Sequence, residues 1–296
     1  MKIISPVLLG LSLAVVGSSF TAAQEMQGAA PQVQGPPKVL QITREFIKPG
    51  KSGAIHDASE SKFVAAMTKA KWPTHYFALN SLTGKSRALY LTGYSSFKAW
   101  EDDFTAQMKD KPLFAELDKD SVADGELLNG IDQFVFTYDE DLSYRPSTTL
   151  APARFMEVTS FHIKPGHRKE WNELVKLVID AQKKAGTSAH WVTYEIAYGG
   201  DNTYVVLSDD KSLADIDTGY AEDKQFRDAL GEDGMAKLSG LVEDCIKSSD
   251  SELFAINPAQ SYPPEAWVKA DPGFWKPKPA MAPAAKPAAP AKKPSM

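Results

Sequence analysis

Two histidines stand at matching places in the chain, each followed by an aromatic residue: Thr74-His75-Tyr76 and Ala189-His190-Trp191. Imidazole titrates near neutrality, so the pair could move protons or hold a ligand. It could equally close a helix–strand junction by hydrogen bonds to backbone, and the structural reading is preferred. His162 and His167 flank a Lys-Pro-Gly turn without the Cys or carboxylate ligands that zinc sites add at recognisable spacing. His56 falls in an exposed-looking first turn of a helix and carries little signal. Cys245 is the only cysteine, so no internal disulfide can form. Leu238, Leu241, Val242, Cys245 and Ile246 have helical spacing, which makes Cys245 a buried small residue rather than a nucleophile. The sequence contains no Gly-x-Ser-x-Gly elbow, phosphate loop or dinucleotide glycine fingerprint. Gly84-Lys85-Ser86 lacks the upstream glycine of a phosphate loop. No catalytic residue is assigned, and neither a metal nor a cofactor is expected.

The elements that carry these residues come in two copies. Arg44 to Lys51 (REFIKPGK) matches Ser160 to His167 (SFHIKPGH), the two His-aromatic segments follow, and Ser143-Tyr144-Arg145-Pro146 matches Ser261-Tyr262-Pro263-Pro264. The matches are co-linear, and their spacing is far longer than that of solenoid repeats. In each copy the apolar periodicity predicts β-α-β-β-α-β. Copy one reads as strand 39–48, helix 52–71, strand 74–82, strand 87–94, helical segments from Ser95 or Ser96, and strand 131–138. Copy two reads as strand 154–164, helix 167–185, strand 189–197, strand 203–207, a helical region 210–245 broken near Gly219, Gly231 and Gly234, and strand 252–256.

This order is the split βαβ, or ferredoxin-like, unit. The predicted fold class is therefore α+β: two tandem βαββαβ modules, at 38–146 and 153–264, whose antiparallel sheets pack face to face as a barrel. The chain resembles the dimeric α/β-barrel superfamily in a tandem-fused form. Its extent and the Ile-Lys-Pro-Gly first turn are most similar to the NIPSNAP-like branch, related to the antibiotic biosynthesis monooxygenases. The resemblance implies a pocket between the sheets, where relatives oxidise or isomerise aromatic compounds or act on haem. No residue set here matches such a family motif closely, so none is carried over.

Strand alternation separates two faces. Leu40, Ile42, Phe46, Phe77, Leu79, Met156 and Val158 form an apolar face, assigned to packing under the helices. Gln41, Thr43, Glu45, Tyr76, Ala78, Asn80, Trp191, Thr193 and Glu195 form a mixed face, assigned to the space between the sheets. Unpaired carboxylates are costly to bury in a purely structural core. The candidate ligand pocket is thus lined by Tyr76, Asn80, Glu157, Trp191, Glu195 and Glu252, with His75 and His190 as secondary candidates.

The chain ends carry different information. Met1-Lys2, an apolar stretch from Ile3 to Val16 and small residues up to Ala23 form the pattern of a secretory signal peptide over 1–23. Residues 24–37 read as a flexible lead-in, and 265–296 as a Pro/Ala/Lys-rich disordered tail. The tail's five lysines from Lys276 onward could contact an anionic envelope polymer. The net charge is −5, and −11 without Lys2 and those lysines, which argues against nucleic-acid binding. The sequence therefore predicts a periplasmic or secreted protein, without a transmembrane segment once processed, and a monomer because the fusion supplies both halves of the barrel. It would bind a small molecule in the pocket. The alternatives are a cofactor-independent monooxygenase or isomerase of the α/β-barrel kind, and a structural envelope protein with a filled core.

Overall fold

The computed structural model describes residues 35–276. Residues up to 34, where a signal peptide and most of a lead-in were expected, and the lysine-containing stretch from 277 lie outside the described residues. The first half runs β1 (Val39–Ile47), α1 (Ala54–Ala70), β2 (Tyr76–Ser81), β3 (Arg87–Tyr94), α2 (Phe97–Lys109), α3 (Lys111–Gly125) and β4 (Leu128–Tyr144). The second runs β5 (Phe155–Ile163), α4 (Arg168–Ala185), β6 (Trp191–Tyr198), β7 (Thr203–Asp210), α5 (Leu213–Cys245) and β8 (Ile246–Tyr262), followed by two short helices, α6 (Glu265–Ala270) and α7 (Pro272–Trp275). Local chemistry sets these boundaries. Ser96 Oγ accepts from the Ala99 N–H at the start of α2, and Ser212 and Asp215 form a capping box at the start of α5.

All eight strands join one closed antiparallel barrel, in the order β1-β3-β2-β8-β5-β7-β6-β4. Each half contributes the ferredoxin-like order, and the halves meet at β2/β8 and β4/β6. The last strand of each half is longer than its apolar pattern suggested, because it continues past its own sheet to pair with the other half. Closure leaves no exposed sheet edge. Among the described residues no helix is long and apolar enough to cross a membrane.

The expected face assignment is reversed. Leu40, Ile42, Leu79, Leu91, Met156, Val158, Phe254 and Ile256 meet inside the barrel as one apolar core. The mixed face, with Glu45, Tyr76, Trp191 and Thr193, lies outside, under the helices. The physical reason is enclosure. A closed barrel shuts water out of its interior completely, so the more apolar face goes there. The outer face can hold polar groups because the covering helices bring partners to them. The space between the sheets, proposed as a pocket, is therefore filled.

Two further corrections follow. Residues 265–275, read as the start of a disordered tail, form α6 and α7. Trp267, Phe274 and Trp275 pack against the barrel core there, and Trp275 is 1% exposed with its indole N–H donating to Ala151 O at 2.8 Å. These aromatic residues set the stretch apart from the Ala/Pro/Lys composition that follows. His56, expected in an exposed turn, is fully buried. Cys245 is buried, as its helical spacing indicated.

Candidate functional site

In the second half the long helix α5 arches over the outer face of the sheet. Its backbone leaves helical geometry at Gly231 (φ 68°, ψ 179°), and beyond this kink Leu241 and Cys245 pack with α4. The stretch before the kink is held by its middle, where Glu222 accepts from both the N–H and the Oγ of Ser188 at 2.8 Å. Between this arm and the strands lies a solvent-open cleft of about 1000 Å³. Its floor carries Glu157 and Thr159 of β5, Trp191 of β6, and Val206, Ser208 and Asp210 of β7, while Ile216, Tyr220 and Phe226 of α5 form the far wall.

Most charged groups around the cleft are already committed. Arg145 donates to Thr187 O at 2.9 Å, Arg227 pairs with Asp223 at 2.8 Å, and Asp215 caps α5. Glu157 and Asp210 are different: among the described residues neither side chain has an ion-pair partner in the structure. Asp210 is 9% exposed, and burial foremost, then the nearby Glu157 carboxylate, pushes its pKa up to about 6. Tyr220 stands at the rim, 80% exposed. Two carboxylates without an ion pair, in a cleft that Trp191, Tyr220, Phe226 and Lys211 also line, suit an organic cation with a flat or apolar body.

The structure brings together Glu157, Trp191 and His190 of the eight sequence candidates, but in this cleft rather than between the sheets. His190 Nε2 lies 2.8 Å from Asp209 O and Nδ1 3.2 Å from Ser188 O, so it ties the junction before β6 to β7. Trp191 donates its indole N–H to Leu142 O at 2.9 Å, which fixes the ring across the β4/β6 seam. The other candidates lie elsewhere. Glu195 pairs with Arg168 at the start of α4. Glu252 points into the barrel and pairs with Arg87. Asn80 and Tyr76 lie under the helices of the first half, and His75 stacks on Tyr262 with ring centroids 4.7 Å apart. Burial lowers the His75 pKa. Sequence reasoning missed Asp210, Tyr220 and Phe226. The one available signal was the length of the second copy's last helical region, which exceeds what is needed to cover its sheet.

No protein-family model matches this chain, and no curated protein matches it in sequence. Solved structures do match. A candidate monooxygenase of Fusobacterium nucleatum superposes with TM-score 0.50 at 13% identity, covering 75% of this chain and 93% of that one. A candidate monooxygenase of Lactobacillus acidophilus has TM-score 0.45 at 7% identity, covering 74% and 93%. A mutant chlorite dismutase of Candidatus Nitrospira defluvii has TM-score 0.45 at 9% identity, covering 79% and 95%. With its closed eight-stranded antiparallel barrel, the chain has a ferredoxin-like α/β-barrel fold, both halves being supplied by a single polypeptide.

Proposed function

We propose that this is an exported, monomeric protein that binds a small organic cation in the cleft beneath α5. The reading rests on one observation: Glu157 and the buried Asp210 share the cleft floor without an ion-pair partner, in a cleft that Trp191 and Tyr220 also line. Carboxylates supply charge recognition, and aromatic faces attract cations. Export is supported by the signal-like pattern of the first 23 residues. The monomer reading is supported by closure of the barrel within one chain. The lysine-rich tail would then be a tether to an anionic envelope polymer.

An oxygenase or isomerase reading has the fold shared with the Fusobacterium nucleatum protein behind it, and turnover of a bound compound without added cofactor would establish it. The binding test comes first. Native mass spectrometry of the purified protein, followed by fluorescence titration with aromatic amines and quaternary ammonium compounds, should reveal a ligand. Trp191→Ala and Glu157→Gln should each weaken it about tenfold or more, whereas Glu195→Gln should not. Unchanged affinity in both cleft variants, or no binding across the panel, rejects the reading.

A further inference from the structure

A second cluster lies in the first half, on the opposite side of the barrel seam from the cleft, and the cleft makes no use of it. Glu45 projects from the outer face of β1, His56 and Glu60 stand one turn apart on α1, and Asp124 lies in the last turn of α3. All four are buried, at 8%, 0%, 4% and 3% exposure. His56 Nε2 is 3.1 Å from Glu45 Oε2, 3.8 Å from Asp124 Oδ1 and 3.9 Å from Glu60 Oε1. One ligand atom from each residue lies within 4.8 Å of all the others. Glu60 Oε1 and Asp124 Oδ1 are buried in this space without any hydrogen-bond partner. Among the described residues, the three carboxylates form ion pairs with His56 alone.

Three enclosed carboxylates facing one imidazole cannot all be ionised without a further positive charge nearby. The cluster must therefore take up either protons or a cation. We infer that Glu45, His56, Glu60 and Asp124 bind one divalent first-row transition-metal ion of the Mn²⁺, Fe²⁺ or Zn²⁺ type. One imidazole nitrogen with three carboxylate oxygens suits this class, whereas Cu⁺ would want sulfur and Ca²⁺ more oxygens. Ligands bound at about 2.0–2.2 Å sit roughly 3–4 Å apart, which matches the separations around His56.

The surroundings fit a ligand histidine. Gln260, fully buried on β8, lies 3.1 Å from His56 Nδ1 through Nε2 and also donates to Asp57 Oδ1 at 2.9 Å. With metal at Nε2 the imidazole proton sits on Nδ1, and Gln260 accepts it through Oε1 only by turning its amide and giving up its bond to Asp57 Oδ1. Gln260 belongs to the second half, so the site draws its support from both. The cluster is also not a relic of duplication. Phe161 occupies the place of Glu45 in the second copy and packs on Trp171 with centroids 5.0 Å apart.

The test uses the full chain, stripped with a chelator and dialysed. Mn²⁺, Zn²⁺ and anaerobic Fe²⁺ are titrated, the retained metal is counted by mass spectrometry, and Co²⁺ serves as an absorption probe of the ligand field. One ion per chain, a higher Tm and a Co²⁺ spectrum of nitrogen and oxygen ligation are expected. Glu60→Gln and Asp124→Asn, which keep side-chain volume, should each weaken binding at least tenfold, and Gln260→Ala about 10- to 100-fold. Glu195→Gln, remote from the cluster, should bind as the parent does. Failure of the parent chain to retain any of these ions overturns the assignment, even if the variants do not fold. Binding that survives unchanged in folded Glu60→Gln and Asp124→Asn also overturns it.

Discussion

Ser143 and Ser261 hold equivalent positions in the two halves, and each receives a backbone N–H from the other half. Thr193 N–H donates to Ser143 Oγ, and Ala78 N–H donates to Ser261 Oγ, both at 2.9 Å. Each serine in turn donates to the carbonyl four residues earlier, Asp139 O and Asn257 O, at 2.6 Å. The repeated Ser-Tyr motif is therefore the stitch that closes the barrel at its two seams.

Ser261→Ala should consequently destabilise the fold by about 1–3 kcal/mol, since it orphans the N–H of Ala78, which is fully buried. Ser143→Ala should cost less, because that seam is more open to water. Urea unfolding of the two single variants and the double variant checks both the order and the additivity.

Trp275→Ala should cost about 3–5 kcal/mol, the range for losing a large enclosed aromatic residue. The indole packs into the barrel core from a segment that the sequence reading assigned to the disordered tail. Ending the chain after Pro264 should do at least as much damage. A thermal melt unchanged by either alteration would mean that α6 and α7 are ornamental.

Two glycines of α5 should respond in opposite directions. Gly231 has a φ of 68° and ψ of 179°, a region that side chains enter only under strain, so Gly231→Ala should destabilise by about 1–3 kcal/mol although its Cβ would meet nothing within 4 Å. Gly219 has room for a Cβ as well and ordinary helical backbone, so Gly219→Ala should stabilise by roughly 0.5–1 kcal/mol. Chemical denaturation of the pair separates backbone strain from contact.

Asp210 makes stability depend on pH in a defined direction. Its pKa rises from the ordinary 3.8 to about 6 on folding, so folding favours the protonated form. The resulting stabilisation is complete below the unfolded value and is lost as pH climbs through about 6. Asp210→Asn should flatten that part of the profile in urea titrations, and it should abolish the tightening of an organic cation expected over the same window.

The duplication and the element order were legible because turns and strand starts kept their motifs in both copies. Alternation separated the two faces of β1, β2, β5 and β6, but it put Glu252 with the mixed face although that side chain points into the barrel. It could not say which face was enclosed, since the outer face carries its own apolar residues, Ile47 and Tyr90 among them. That ambiguity put Trp191 and Glu157 between the sheets rather than beneath α5. The cluster around His56 was illegible for a different reason. Its members come from β1, α1 and α3, so no local spacing joins them, and the burial of His56 depends on Gln260 from the far end of the chain.

A barrel assembled from two separate but identical subunits must accept every substitution twice, once in each half. Here one gene writes the halves independently, and the result is a division of labour: beneath one set of helices the chain has packed tightly around a knot of acids, and beneath the other it has stayed hollow.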